Sequence, residues 1–383
     1  MQEIIQNRAR TVNRNKAILA AFLLFLCVPP YFIWNTGVDS ISYVLFSILS
    51  ITEINAKQFR LPIFFISLLY FYLSIVSDNN IWGWIIIISV IPIFFSSPSF
   101  CKEVYKYFYK IFMYTMIISF FMYLIVCIVG IDLPHYSIKP LNLNKIAHYY
   151  AYPFLVSTDT SGIRFHGLYD EPGVIGTISG IILLIEHFDL KKKGNVALLI
   201  MTVFTFSMFF YVIFAIYILL FERVQYKLII AGIVAFLVFY FWSDDVMYEL
   251  VFKRFMLNDK GQLIGNTREH GDFGEWFDSF RGSSGYYWGL GSGKGAQMND
   301  GGSSYKQIIV DYGVVFFVLY CASFVLSSIR YYVNRKCLVI FILLFFLTIY
   351  QRPFITSIAY VFFFYASPLL ISDKELTLQK SQV

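Results

Sequence analysis

Sorted into hydrophobic and polar positions, the chain alternates long apolar runs with short charged interruptions. The apolar runs lie near 17–34, 38–54, 62–77, 81–97, 111–131 and 172–188, twice within 196–221, and again near 228–242, 305–329, 337–350 and 354–371. A bilayer core about 30 Å thick takes roughly 20 helical residues to cross. The pattern therefore predicts an all-α polytopic integral membrane protein, one unit over 1–383, with about twelve transmembrane helices. The stretch 196–221 is the ambiguous one. As a single tilted span it gives eleven crossings and moves Arg223, Lys227, Arg330, Arg335 and Lys336 to the outer side. A turn near Ser207 makes it two short helices and keeps those cations inside, and that reading is preferred.

Charge orients the pattern. Arg8, Arg10, Arg14 and Lys16 precede the first run, and Lys57 and Arg60, then Lys102, Lys106 and Lys110, then Lys191, Lys192 and Lys193 fall in alternate connections. The turns near 35–37 and 77–80 hold neither Lys nor Arg. The excess of Lys and Arg on one side marks that side as cytoplasmic, with both termini on it. The basic and then apolar N-terminus looks like a signal peptide but has no small-residue cleavage site, so it reads as an uncleaved first helix.

Two polar stretches, 132–171 and 243–304, then face outward. Connections of that length usually carry function, so the chemistry is expected outside. The second opens "DDVMYELVFKRFML", in which Val246, Leu250 and Val251 share one helical face. This is either a helix lying on the outer membrane surface or an extension of the preceding span.

Composition supports the membrane reading. At 58% hydrophobic, 20% aromatic and 14% charged, the chain is oilier than a soluble domain tolerates. The net charge of +6 is scattered between apolar runs rather than gathered into a patch, so no nucleic-acid partner is expected. The five cysteines lie in or beside apolar segments and show neither a disulfide framework nor a zinc spacing.

The densest cluster of ionisable groups is "RFHGLYDEPGVIG". Arg164 and His166 stand two apart, and Asp170 and Glu171 precede Pro172, which suits the first turn of a helix. The acids are explained by capping alone, whereas Arg164 is not. The second polar stretch sets Arg268 and Arg281 among Trp276, Tyr286, Tyr287 and Trp288. Guanidinium forks suit phosphate and aromatic faces suit sugar rings, although an aromatic-rich loop also anchors at a membrane surface. In "GLGSGKGA" a phosphate loop fails because Trp288 takes the first glycine position, and Ala296 follows Gly295 where another pattern needs a hydroxyl, so the run reads as a flexible loop with close backbone approach. Acids such as Asp244, Asp245, Asp272, Glu275 and Asp278 form no calcium loop or D-x-D pair, and no metal or cofactor is expected. Arg352 lies in a short outer turn, where it either snorkels or completes an anion site.

With these residues in place the chain resembles the bacterial O-antigen and capsular repeat-unit polymerases (Wzy-type), within the superfamily that includes the O-antigen ligases. Three patterns carry the resemblance. Arg164, Gly167, Glu171, Pro172 and Gly176 match an Arg, Gly and acid before Pro and a small-residue helix. Arg268, Trp276, Gly289, Gly291 and Gly293 match an Arg and aromatic ahead of a glycine-rich turn. "GSSYKQIIVDYG" matches a polar-aromatic entry to a span closing on Gly.

The resemblance implies a GT-C-like membrane glycosyltransferase in the bacterial inner membrane. Such an enzyme moves a growing glycan from undecaprenyl diphosphate to a lipid-linked repeat unit, without metal and with inversion. It implies catalytic roles for Glu171, Arg164, Arg268 and His166, with Glu171 first among the bases. Substrate contacts fall to Arg281, Arg352, Asp170, Trp276, Tyr286, Tyr287 and Trp288, and the partners are a flippase and a chain-length regulator. Ligases carry His-Asn where this chain has Gly302 and Ser303, which favours polymerase over ligase. The other alternative is a lipid-linked oligosaccharide transporter. Against it, Glu53, Glu186 and Asp311 all lie near predicted span ends, and mid-membrane charges of the kind that mark a transport path are few.

Overall fold

The computed structural model describes residues 12–76, 81–139, 148–158, 164–221, 248, 253, 256, 272–299 and 304–380. Arg268, Gly302, Ser303, the span at 228–242 and, apart from Tyr248, Lys253 and Met256, the segment opening the second polar stretch lie outside the described residues. The molecule is mostly helical. Helices α1 (Arg14–Leu26), α2 (Val38–Ile51), α3 (Leu61–Val76), α4 (Ile81–Ile88) and α5 (Pro98–Tyr123) precede a small sheet. Then come α6 (Pro172–Ile185), α7 (Lys193–Val203) and α8 (Met208–Phe221), three short helices α9 (Phe273–Phe280), α10 (Ser284–Trp288) and α11 (Lys294–Met298), and finally α12 (Tyr305–Ser328), α13 (Arg335–Gln351) and α14 (Ile358–Lys380).

Helix ends follow local chemistry. The Asn13 side chain caps α1, and the helix stops at Leu26 rather than running to 34 because Pro29 and Pro30 cannot continue it. Helix α5 begins at Pro98, well before the apolar run at 111, because Ser97 accepts a hydrogen bond from the Phe100 N–H and Pro98 suits the first turn. Lys102, Lys106 and Lys110 are thus helix residues, not loop residues. At the other end of the chain α14 extends past 371 to Lys380 through good helix formers.

Two helices are long and apolar enough to cross a membrane: Pro98–Ile128, which is α5 with its continuation (31 residues), and α12 (24 residues). Others are shorter, among them α2, α3, α6, α7 and α8. The 14 residues of α6 reach only about 21 Å. Twelve full-length spans are therefore not what the described residues form.

The apolar run 196–221 is two helices. The chain breaks over Phe204–Ser207, with Phe206 in the left-handed region at φ 49°. The break lies against Gly176 near the start of α6, while the Tyr217 hydroxyl donates to the His187 carbonyl (2.5 Å) just past its end. Asn195, at the start of α7, likewise bonds the Asp189 carbonyl at 2.9 Å. Helices α7 and α8 therefore form a hairpin whose turn reaches up beside α6. Gly176 permits this approach, since a Cβ there would stand 2.3 Å from the Ser207 Cβ.

Helices apolar all round bury every face. Every residue of Ile175–Phe188 and of Ile358–Ser372 is buried, so α6 and α14 are the central helices of the bundle.

The first polar stretch is not a plain loop. Tyr136–Ile138 (β1), Tyr149–Tyr152 (β2) and Leu155–Thr158 (β3) form an antiparallel sheet in the order β1-β2-β3. An all-helical expectation missed it. Tyr149 and Ala151 point inward from β2, and Leu155, Val156 and Thr158 are buried on β3. The sheet holds the cluster segment: the Val156 N–H donates to the Gly167 carbonyl (2.8 Å) and the Tyr149 hydroxyl to the Asp170 carbonyl (3.3 Å).

At the opposite, basic end of the bundle Glu186 accepts from Tyr105 (3.0 Å), Lys374 (3.1 Å) and Lys192. Its neighbour His187 is buried, with Nε2 on the Ile371 carbonyl (3.0 Å) and Nδ1 3.5 Å from Glu375.

Candidate functional site

Glu171 is the N-cap of α6 and Arg352 the C-cap of α13, six residues ahead of α14. Two helix ends of opposite polarity thus meet, each bearing the charge its dipole favours: an acid at an N-terminus and a cation at a C-terminus. The Arg352 Nη2 donates to the Glu171 Oε2 at 2.8 Å. The arginine side chain is 4% exposed and the glutamate 38%, so the pair stands at the mouth of a buried position.

Burial disfavours the Arg352 charge, but the Glu171 and Asp170 carboxylates beside it favour it, and the guanidinium stays protonated. Its Nε has no hydrogen-bond partner among the described residues, while its plane lies 5.8 Å from the Phe354 ring centroid. A buried guanidinium with a donor unused is costly. Gly173 makes room for it, since a Cβ there would stand 2.8 Å from the Arg352 Nη2.

Arg164 sits elsewhere. Its Nε donates to the Thr205 carbonyl (3.1 Å) and its Nη2 to the Phe206 carbonyl (3.5 Å). The adjacent Phe165 N–H bonds the Phe204 carbonyl (2.8 Å). Carbonyls past the last turn of a helix are orphaned, and a cation there complements both them and the dipole. Arg164 therefore clamps the α7–α8 turn, which explains the one charge that capping of α6 leaves unaccounted for. His166 is buried in the same segment, and Gly167 takes φ +58° where the chain turns beneath the sheet.

The second polar stretch forms its own small core. Phe273, Phe277 and Phe280 of α9 pack with Ile309 and Val310 of α12, and Trp276 stacks on Phe280 with centroids 5.0 Å apart. Trp276 and Tyr286 are partly buried against this core. Arg281 lies over the Phe277 ring (5.5 Å) and 3.6 Å from Asp278 of its own helix. Tyr287 and Trp288, by contrast, are 52% and 70% exposed.

The glycine run is fixed by backbone contact. Gly313 breaks α12 with φ 85°, and a Cβ there would stand 2.1 Å from the Tyr287 carbonyl oxygen. The Leu290 N–H bonds the Val310 carbonyl (2.7 Å) and the Gly291 N–H the Asp311 carbonyl (3.1 Å). The Asp311 carboxylate accepts from the Gly295 N–H at 2.6 Å, and the backbone N–H groups of Gly293 and Lys294 also bond it. The concavity that phosphate occupies in a phosphate loop is here filled by a carboxylate of the same chain.

The structure thus unites Glu171, Arg352 and Asp170, and sets Arg164 apart at the hairpin turn. Asp311 carried no motif that would have singled it out. No family model, no curated protein and no solved structure matches this chain.

Proposed function

We propose that the protein is a multi-pass membrane glycosyltransferase of the polysaccharide-polymerase type, with the Glu171–Arg352 pair at its reacting centre. The observation that carries the proposal is the buried, charged Arg352, whose Nε has no partner among the described residues, held against a carboxylate where the ends of α6 and α13 meet. Diphosphate is a good leaving group, so the reaction needs a fixed cation for the departing charge and a base for the acceptor. In this reading Glu171 takes the proton of an acceptor sugar hydroxyl, whose oxygen attacks the anomeric carbon of the lipid-linked glycan. The bond from that carbon to the diphosphate oxygen breaks, its electrons leave on undecaprenyl diphosphate, and Arg352 stabilises them. Exposed Tyr287 and Trp288 offer apolar faces for sugar rings.

The same reading places the chain in a bacterial inner membrane with both termini cytoplasmic, the pair at the outer face and α7–α8 as a hairpin entering from the basic side. Apolar side chains exposed along α3 and α5, including Phe64, Phe71, Ile75 and Phe121, support lipid as the surrounding medium. A flippase supplies its lipid-linked substrate and a chain-length regulator acts on its product. Deleting the gene is expected to leave single repeat units at the cell surface, with long polymer restored on complementation. Absence of any surface glycan instead points to a transporter, and long but unattached polymer to a ligase.

A further inference from the structure

The basic end of the bundle carries a groove with no part in this reaction. It is bordered by Leu220 and Phe221 at the end of α8 and by Arg335, Lys336 and Val339 at the start of α13, with a volume of about 370 Å³. Its floor is apolar, Leu220 being 55% exposed, and the Lys336 Nζ stands 5.4 Å from the Phe221 ring centroid. Several lysines at this end are answered by carboxylates: Lys102 by Asp373 (2.5 Å), Lys106 by Glu103 (3.0 Å), and Lys374 by Glu186 (3.1 Å). Among the described residues no carboxylate forms an ion pair with Arg335 or Lys336. Both also occupy the first turn of α13, where the helix dipole opposes a cation rather than stabilising it.

We infer that this groove binds one anionic phospholipid of the surrounding leaflet, its phosphate on Arg335 and Lys336 and its first methylenes along Leu220, Phe221 and Val339. Charge complementarity selects this occupant. A zwitterionic lipid brings a cation of its own to two that form no ion pair among the described residues, and free phosphate leaves the apolar floor uncovered. The inference rests on the membrane reading above but not on the glycosyl-transfer chemistry.

The test uses the full chain, purified in detergent and stripped of lipid, with binding followed by native mass spectrometry and by Tm. Phosphatidylglycerol is expected to bind and raise Tm, and phosphatidylcholine and inorganic phosphate are expected not to. R335Q/K336Q is expected to weaken phosphatidylglycerol binding roughly 30-fold, from two cations near an anionic headgroup. K191Q/K193Q, which removes two cations outside the groove, leaves it unchanged. Val339→Trp fills the floor with both charges intact and is expected to weaken binding as well, so a misfolded double variant cannot decide the matter alone. Equal binding of both lipids, or an equal loss in K191Q/K193Q, overturns the site. A protein recovered in the soluble fraction without detergent overturns the membrane reading itself.

Discussion

Arg352→Ala is expected to abolish long polysaccharide in cells that still hold the protein in their membranes. Two effects add. In the proposed mechanism truncation removes the cation that takes the leaving charge, and loss of one preorganised donor of this kind costs about 10²–10³ in rate. It also leaves Glu171 at the α6 N-terminus without its partner. A fully buried pair costs about 3–5 kcal/mol when one member is removed; here Glu171 keeps 38% exposure, so about 2 kcal/mol is the expected stability loss. Arg352→Lys keeps the charge but not the fork that lets one guanidinium hold a carboxylate and a second acceptor together, and is expected to recover stability while staying largely inactive. Glu171→Gln preserves the shape and a hydrogen bond to Arg352 but cannot take a proton. It is expected to yield single repeat units with normal protein levels. Measuring glycan length on gels beside immunoblots of the membrane fraction separates chemistry from folding, and normal chain length in both Arg352→Ala and Glu171→Gln removes the pair from the mechanism.

Arg164→Ala has the second large effect, and it is of another kind. The variant strands the carbonyls of Thr205 and Phe206 at a turn packed against Gly176. Each buried acceptor left unpaired costs about 1–3 kcal/mol, so a fall in Tm and in accumulated protein is expected before any loss of rate per molecule. Gly176→Leu should reproduce this phenotype, because its side chain must displace Ser207 and overpacking costs about 1–3 kcal/mol. If Arg164→Ala instead accumulates normally with unchanged Tm and makes no polymer, the arginine contacts substrate and the clamp is not its role.

The helical class was legible from the apolar runs, but their length was not a guide to spans, since among the described residues two helices are long and apolar enough to cross a membrane. The turn near Ser207 followed from keeping Arg335 and Lys336 with the other cations, and the hairpin it demanded is present. Boundaries were less legible where capping outweighs hydropathy. Ser97 and Pro98 start α5 early, and Lys102 and Lys106 are carried in the helix on ion pairs with Asp373 and Glu103. The sheet was missed although "HYYAYPFLVST" has aromatic and β-branched residues around a proline turn, because a polar stretch between apolar runs reads first as a loop.

At the site, Glu171 and Arg352 were each noticed for local reasons, one as a helix start and one as a lone outer cation. Their pairing spans 181 positions of sequence, and no local pattern encodes such a contact. Arg164 drew attention for the opposite reason: its partners are backbone carbonyls, which any residue supplies and no motif reveals. Asp311 was likewise hidden, since a carboxylate filling a glycine nest looks in sequence like an acid beside a span.

The central claim is that this chain lengthens lipid-linked glycans by itself. Its most direct test is the product length made by the purified protein in lipid nanodiscs given only undecaprenyl-diphosphate-linked repeat units. The account predicts a ladder of multiples of the repeat from the wild type and only the single unit from Arg352→Ala. Repeat units left unextended by well-folded wild-type protein would contradict it.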